Sequence, residues 1–254
     1  MEAYSGFASV YDLFMEDVDY DSWIEYIKKI WEMHGLKTEL VTDLGCGTGT
    51  VSVKLAKEGY DVIGIDSSVE MLDIASEKAA EAGLDILFLN QEIPEFELYG
   101  TVDSIICLMD TMNYITDEAD FISALKWANN YLNYGGLFIF DVNTEYKFKN
   151  ILGSNTFSDV KDEAAYIWEN TYDEAEKINE YYVNFFVKNE SGSYDRIEEC
   201  HYERAYSRDE IEKYIEMSGL KLLDVFDAYT FDPPKENSSR LFFVAEKGSI
   251  QKER

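Results

Sequence analysis

One short segment, Asp43-Leu-Gly-Cys-Gly-Thr-Gly49, restricts the fold of this chain more than any other. The apolar run Leu40 to Leu44 leads into it, and a helical pattern from Val51 to Glu58 leads out. Gly45, Gly47 and Gly49 allow a tight turn and a close approach of backbone to ligand. The helix start behind them offers N–H groups that have no partner within the helix. The next apolar run, Asp61 to Ile65, stops at Asp66. An acid at the end of a second strand can accept hydrogen bonds from both hydroxyls of a ribose.

The same alternation continues downstream. The pattern predicts a helix over Val69 to Ala82 stopped by Gly83, and strands over Asp85 to Leu89 and Val102 to Leu108. A helix follows over Glu118 to Leu132, stopped near Gly135-Gly136, and then a fifth strand over Leu137 to Val142. Apolar strands separated by helices imply a parallel sheet covered on both faces. Upstream, Phe7, Val10, Tyr11 and Phe14 recur at helical spacing, as do Trp23, Ile24, Ile27, Ile30 and Trp31, and Gly35 reads as a stop.

The rhythm breaks after Asn143. Three strand-like runs, AAYIWENTYD, INEYYVNFFVKN and YDRIEECHYERAY, lie between Ala164 and about Arg204, separated by the polar turns DEAEK and ESGS. Successive hairpins of this kind read as a small antiparallel sheet. Ser207, with Glu210 as its capping-box partner, opens a helix over Arg208 to Met217 that ends at Gly219. Leu220 to Phe226 and Arg240 to Glu246 read as two last strands. The expected architecture is α/β and Rossmann-like: a mixed seven-stranded sheet flanked by helices, with a small antiparallel β insertion after strand five. Residues 1–143 and 205–254 form the core, with 1–36 as an N-terminal helical cap, and 144–204 form the insertion.

Charge excludes several partners. With 22 Lys and Arg against 51 Asp and Glu, the net charge is −29. Such a surface repels phosphate backbones and anionic lipid headgroups, so neither nucleic acid nor a membrane is expected as partner. A neutral or cationic small molecule, or a basic protein, fits better. Cys46, Cys107 and Cys200 are far apart and form no CxxC pair, which suits a reducing cytoplasm. The only histidines, His34 and His201, sit in no metal-ligand spacing, so no metal is expected. The acidic start MEAYSGFASVYD does not read as a signal peptide, and no apolar run is long enough to span a bilayer. The oligomeric state, monomer or dimer, is left open.

The glycine spacing is GxGxG rather than the dinucleotide GxGxxG, since Thr50 stands at the third glycine position. DLGCGTG followed by VIGIDSSVEML resembles the first two motifs of class I S-adenosylmethionine-dependent methyltransferases. NQEI (Asn90 to Ile93), CLMDTMNYI (Cys107 to Ile115) and the opening YSGFASVYDLFM extend the resemblance over almost the whole chain, toward a bacterial small-molecule-type branch. The resemblance implies S-adenosyl-L-methionine as methyl donor and S-adenosyl-L-homocysteine as product. It implies that Gly45, Cys46 and Gly47 line the methionine arm and ribose, with Asp43 orienting the loop. Asp66, with Ser67 beside it, would hold the ribose, and Met71 would pack on the adenine. In NQEI, Gln91 stands beside the adenine site, Glu92 would accept from the amino group and the Ile93 N–H would complete the edge. Met109 and Asp110 would flank the methionine arm and the methyl, and Tyr11 would close over the cofactor.

The acceptor side rests on fewer signals. Asp110, Asn113 and Tyr114 stand where the fourth strand meets its loop, at the edge of an open α/β sheet where ligands bind. Asn143, Trp168 and Tyr206 are candidate acceptor-pocket residues, and the insertion is expected to be a lid over that pocket. His201 and Asp110 are the candidate proton acceptors, although a period of two places Glu199, His201 and Glu203 on one face, where a carboxylate could simply satisfy the imidazole. The function expected is methyl transfer by in-line displacement to a small neutral or cationic acceptor. The alternatives are a regulatory protein that binds S-adenosylmethionine without turnover and, with less support, an NAD-dependent oxidoreductase.

Overall fold

The apolar runs become the central strands of one sheet, and a second, smaller sheet stands over its carboxyl edge. A computed structural model describes residues 8–248, without the side chain of Ser9; Phe7 and the first residues of the opening motif lie outside them. Two helices come first, α1 (Ala8–Phe14) and α2 (Tyr20–Met33). Asp19 caps α2 by accepting from the Ser22 N–H at 3.1 Å, and Ile24, Ile27, Ile30 and Trp31 form its buried stripe.

The alternating part runs β1 (Leu40–Leu44), α3 (Thr50–Lys57), β2 (Asp61–Asp66), α4 (Val69–Glu81), β3 (Leu87–Asn90), β4 (Val102–Cys107), α5 (Glu118–Tyr131) and β5 (Leu132–Asn143). These strands pair in parallel in the order β3-β2-β1-β4-β5. Both faces are buried: on β4, Ile105 and Cys107 join α5, while Ile106 joins α2 and α3. The chain leaves β1 first toward β2 and later returns on its other side as β4. The carboxyl ends of β1 and β4 therefore flank the switch point of the sheet, where a ligand crevice opens. Strand five begins at Leu132, five residues earlier than the periodicity predicts, because Asn133 to Gly136 continue the strand through an irregular register with β4.

The insertion holds four strands, not three. They are β6 (Thr156–Val160), β7 (Ala164–Asp173), β8 (Ile178–Lys188) and β9 (Tyr194–Arg204), antiparallel in that order. β6 is short and at the edge, with alternate residues in solvent, so little apolar pattern announces it. A π-helical turn over Lys147–Leu152 precedes it and packs Phe148 and Leu152 beneath Tyr181 and Trp168. The opposite end of the sheet, at Ala164, Tyr166 and Phe185, receives Val10, Leu13 and Phe14 of α1. Helix α6 (Arg208–Ser218) then opens with the Ser207–Glu210 capping box. β10 (Leu220–Asp227) and β11 (Arg240–Lys247) complete a seven-stranded sheet in the order β10-β11-β5-β4-β1-β2-β3, with β11 antiparallel to β5.

One buried side chain fastens the insertion at both ends. Asn113 accepts from the Asn143 N–H at 2.8 Å, and its amide donates to the carbonyls of Asn143 at 3.1 Å and Arg204 at 2.8 Å. Asn143 and Arg204 are the residues where the chain enters and leaves the second sheet. Removing this amide leaves interior backbone groups without partners. Asn113→Ala is expected to cost about 3 kcal/mol of stability, measured by chemical denaturation; a change below about 1 kcal/mol would show that water replaces the clasp.

Candidate active site

Two chambers meet at the carboxyl edge of the large sheet. The first, of about 370 Å³, runs over the glycine loop. Gly45 and Cys46 donate their N–H groups to the Ile65 carbonyl at 2.7 and 2.9 Å, which pins the loop against β2. Gly45 has φ +77, and a Cβ there would stand 2.4 Å from the Thr111 methyl; only glycine fits. Gly47, at φ +53, has no atom within 4 Å of where a Cβ would be, so the backbone faces open space. Asp66 accepts from the Gly47 N–H at 2.8 Å and from the Ser68 N–H at 2.9 Å, and burial raises its pKa. Asp43 is buried beneath the loop and accepts from the Ser52 hydroxyl at 2.6 Å. Ser67, Met71, Glu92, Ile93, Met109 and Tyr11 also border this chamber.

The lining of the first chamber identifies the chemistry it can hold. Asp43, Asp66, Glu92, Asp117 and Asp120 contribute carboxylates, and among the described residues no Lys or Arg borders the space. A dinucleotide would bring a doubly charged pyrophosphate into this wall. S-adenosylmethionine brings a sulfonium, an ammonium and one carboxylate, net positive, with a nucleoside carrying two ribose hydroxyls and no phosphate. The residues fit the second ligand and oppose the first.

The floor between the chambers is held by an acid that the sequence reading did not single out. Asp141, fully buried on β5, accepts from the N–H groups of Met109 and Asp110 at 2.7 and 2.9 Å. Those two residues have φ +63 and +55, a left-handed pair that non-glycine residues rarely adopt. Arg240 on β11 pairs with both Asp141 and Asp110. The signal was available: Asp141 interrupts the apolar run LFIFDVN, and an acid in a central strand must find a partner.

The second chamber, of about 330 Å³, lies under the four-stranded sheet. It shares Tyr11, Met109 and Tyr114 with the first. The Tyr11 hydroxyl reaches the Met109 sulfur at 3.8 Å across this common wall. Asn143, Trp168 and His201 border the second chamber. His201 Nε2 lies 2.9 Å from Glu199 Oε2, both side chains being buried, and the imidazole edge meets the Tyr114 ring at 5.9 Å. Lys147 and Glu203 border the same space and were not anticipated. Burial lowers the Lys147 pKa and raises that of Glu203.

Four expected positions differ. Asp110 borders the second chamber rather than the cofactor cleft, and the Arg240 guanidinium holds its carboxylate, so it is not a ready proton acceptor. Gln91 turns away: its Oε1 accepts from the Glu97 N–H at 2.7 Å, and it borders neither chamber. Asn113 is the clasp described above, sealed from both chambers. Tyr206 packs in the core against Phe121 and Tyr214 and donates to the Ile115 carbonyl, so its ring supports the cofactor-side loop from behind.

Fold and site together define a Rossmann-like protein whose glycine-loop cleft suits a nucleoside cofactor, with a second chamber adjoining it. Residues 41–136 match the family described as Methyltransferase domain. YqeM of Bacillus subtilis (strain 168), which carries a methyltransferase assignment, is 35% identical over 247 residues, 96% of this chain and 97% of that one. A protein of Geobacillus sp. (strain WCH70) with the same kind of assignment is 33% identical over 96% of this chain and 99% of its own. The crystal structure of an S-adenosylmethionine-dependent methyltransferase from Clostridium acetobutylicum ATCC 824 superposes with a TM-score of 0.87 at 34% identity, covering 97% of this chain and 99% of that one. The chain belongs to the class I S-adenosylmethionine-dependent methyltransferases, and S-adenosylmethionine is its methyl donor.

Asp43 gives the site a measurable pH dependence. Burial pushes its carboxyl from 3.8 up to about 6, against the lowering effect of the Ser52 hydrogen bond. The folded pKa exceeds the unfolded one, so the native state binds the proton more tightly. Asp43 therefore penalises folding progressively as pH rises from about 4 to about 6. Across that window Asp43→Asn is expected to lose less stability than the wild type, read from denaturation midpoints. Parallel pH profiles for the two proteins would rule this out.

Proposed function

We propose that this enzyme methylates a small, neutral or cationic molecule held in the second chamber, with residues 144–204 forming the lid of that chamber. The observation that carries the reading is the wall of Tyr11, Met109 and Tyr114 common to the two spaces. It marks where donor and acceptor can meet without a path through solvent.

In this reading Gly45, Cys46 and Gly47 carry the methionine arm and ribose, Asp66 accepts from the ribose hydroxyls with Ser67 beside it, and Met71, Glu92 and Ile93 border the adenine. The bound cofactor supplies a methyl group on a sulfonium, already activated for displacement. The protein's own contribution is then placement and exclusion of water. Asp141 and Arg240 fix the Met109–Asp110 turn, so the Met109 side of the wall keeps its position during turnover. Tyr11 and Phe14 reach the second chamber from α1, and Tyr166, Trp168 and Phe185 reach it from the small sheet, so both elements close it. The net charge of −29 and, among the described residues, a first-chamber wall without Lys or Arg favour a small acceptor over nucleic acid or a membrane surface. No helix among the described residues is long and apolar enough to cross a membrane.

Calorimetric titration with S-adenosylmethionine and S-adenosylhomocysteine tests the cofactor half of this assignment. Both are expected to bind, and Asp66→Ala is expected to weaken binding at least about tenfold with the fold retained by circular dichroism. Undiminished binding to the variant would remove Asp66 from the ribose site. NAD binding in place of these ligands would overturn the reading of the cleft.

A further inference from the structure

Among the described residues, the Asp, Glu, His and Lys side chains bordering the second chamber are Asp110, Lys147, His201 and Glu203. Two are already committed to a strong partner. Asp110 is held by Arg240, and His201 Nε2 lies against Glu199. Glu203 is different. It is 1% exposed, and its hydrogen bonds come from neutral groups, Asn143 Nδ2 at 3.3 Å and the Tyr181 hydroxyl. The other face of the Asn143 amide accepts from Lys147 Nζ at 2.8 Å. One amide thus holds the carboxyl and the ammonium side by side at the chamber wall. Elsewhere on the chamber wall stand Tyr11, Phe14, Tyr166, Trp168 and Phe185, aromatic rings of the kind that attract a cation.

We propose that the second chamber takes an acceptor whose reacting atom is an amine nitrogen, and that Glu203 receives the proton this nitrogen must lose before it is methylated. The inference rests on the acceptor-chamber reading above and narrows it from a neutral or cationic molecule to an amine. An ammonium has no lone pair to offer. On the Glu203 carboxylate it forms an ion pair, gives one N–H proton to Oε, and regains its lone pair. That pair forms the new N–CH₃ bond as the S–CH₃ bond breaks, with its electrons left on sulfur. The charges balance: a carboxylate, an ammonium and a sulfonium become a carboxylic acid, a methylammonium and a thioether.

The groups facing Glu203 tune it in the required direction. Burial raises its proton affinity, Asp110 across the chamber raises it further, and Lys147, Tyr181 and Asn143 pull it back. His201 lies two residues away on the same strand face, with its own carboxylate partner. A carboxyl so raised is a stronger base than one in water, and so better matched to an amine proton.

The test uses the full chain saturated with S-adenosylhomocysteine and two probes of one shape, 2-phenylethylamine and 2-phenylethanol. The wild type is expected to bind the amine at least about tenfold more tightly than the alcohol, and Glu203→Gln is expected to erase that preference while cofactor affinity is unchanged. In the presence of S-adenosylmethionine, S-adenosylhomocysteine formation across a panel of primary and secondary amines is expected to fall at least about a hundredfold in Glu203→Gln. Glu203→Asp, which keeps the acid, is expected to recover part of it. Equal binding of the two probes, no binding of either, or full turnover by Glu203→Gln overturns the proposal. A wild type that binds neither cofactor ligand would instead sink the reading of the first chamber, so the two failures are distinct.

Discussion

The Asp141 carboxylate is the constraint on which the site depends. It is fully buried in the central sheet and would be costly there without partners. Its partners are two backbone N–H groups from the end of β4 and the guanidinium of Arg240 from β11. Three strands therefore meet on one acid. The consequence is a left-handed pair, Met109 and Asp110, held open at the point where the two chambers adjoin. A strained turn of this kind persists only where its surroundings overdetermine it. Asp141 supplies that overdetermination and also aims Arg240 at Asp110.

A second constraint positions the roof. The Asn113 amide spans the points where the chain leaves β5 and returns from β9. The insertion is thereby tied to the loop after β4, the same loop that borders the cofactor space. Helix α1 adds a link from the other side. Asp12 accepts from the Thr48 hydroxyl at 2.7 Å and pairs with Lys78 at 2.8 Å, while Val10 and Phe14 pack on the small sheet. Glycine loop, first helix and insertion are thus in mechanical contact around Tyr11, which borders both chambers.

The two chambers differ in how their charge is arranged. Around the glycine-loop chamber the described residues contribute carboxylates and no Lys or Arg to the wall, which suits a cationic ligand that brings its own positive charge. Around the second chamber, acids and bases alternate in space: Asp110 with Arg240, Glu199 with His201, Glu203 with Lys147 through Asn143. The overall charge of −29 hides this difference, because a sum over the chain says nothing about which residues share a wall.

The large sheet and the cofactor cleft were legible in the sequence because their signals are local. A strand, a glycine turn and a helix are contiguous, and Asp66 lies one helix and one strand further on, so spacing alone brings them together. Met71, Glu92, Ile93 and Met109 follow from the same periodic order of strand ends. The second chamber had no such code. Glu203, Lys147 and Asn143 come from a strand, a π-helical turn and the end of another strand, and only the hairpin register and the docking of the small sheet bring them to one wall. Local patterning equally could not tell Asn113 and Tyr206 from ligand-facing residues, since both are polar-tipped side chains near strand ends that folding turns inward. β6 escaped notice because an exposed edge strand buries too little to leave an alternating apolar pattern. By itself the sequence determined the parallel sheet, the seven strands and the cofactor loop, because backbone chirality and burial dictate these from nearby residues. Only the tertiary structure decided which acids are paired, which are buried beside the acceptor, and which turn is strained, because those properties depend on neighbours distant in the chain.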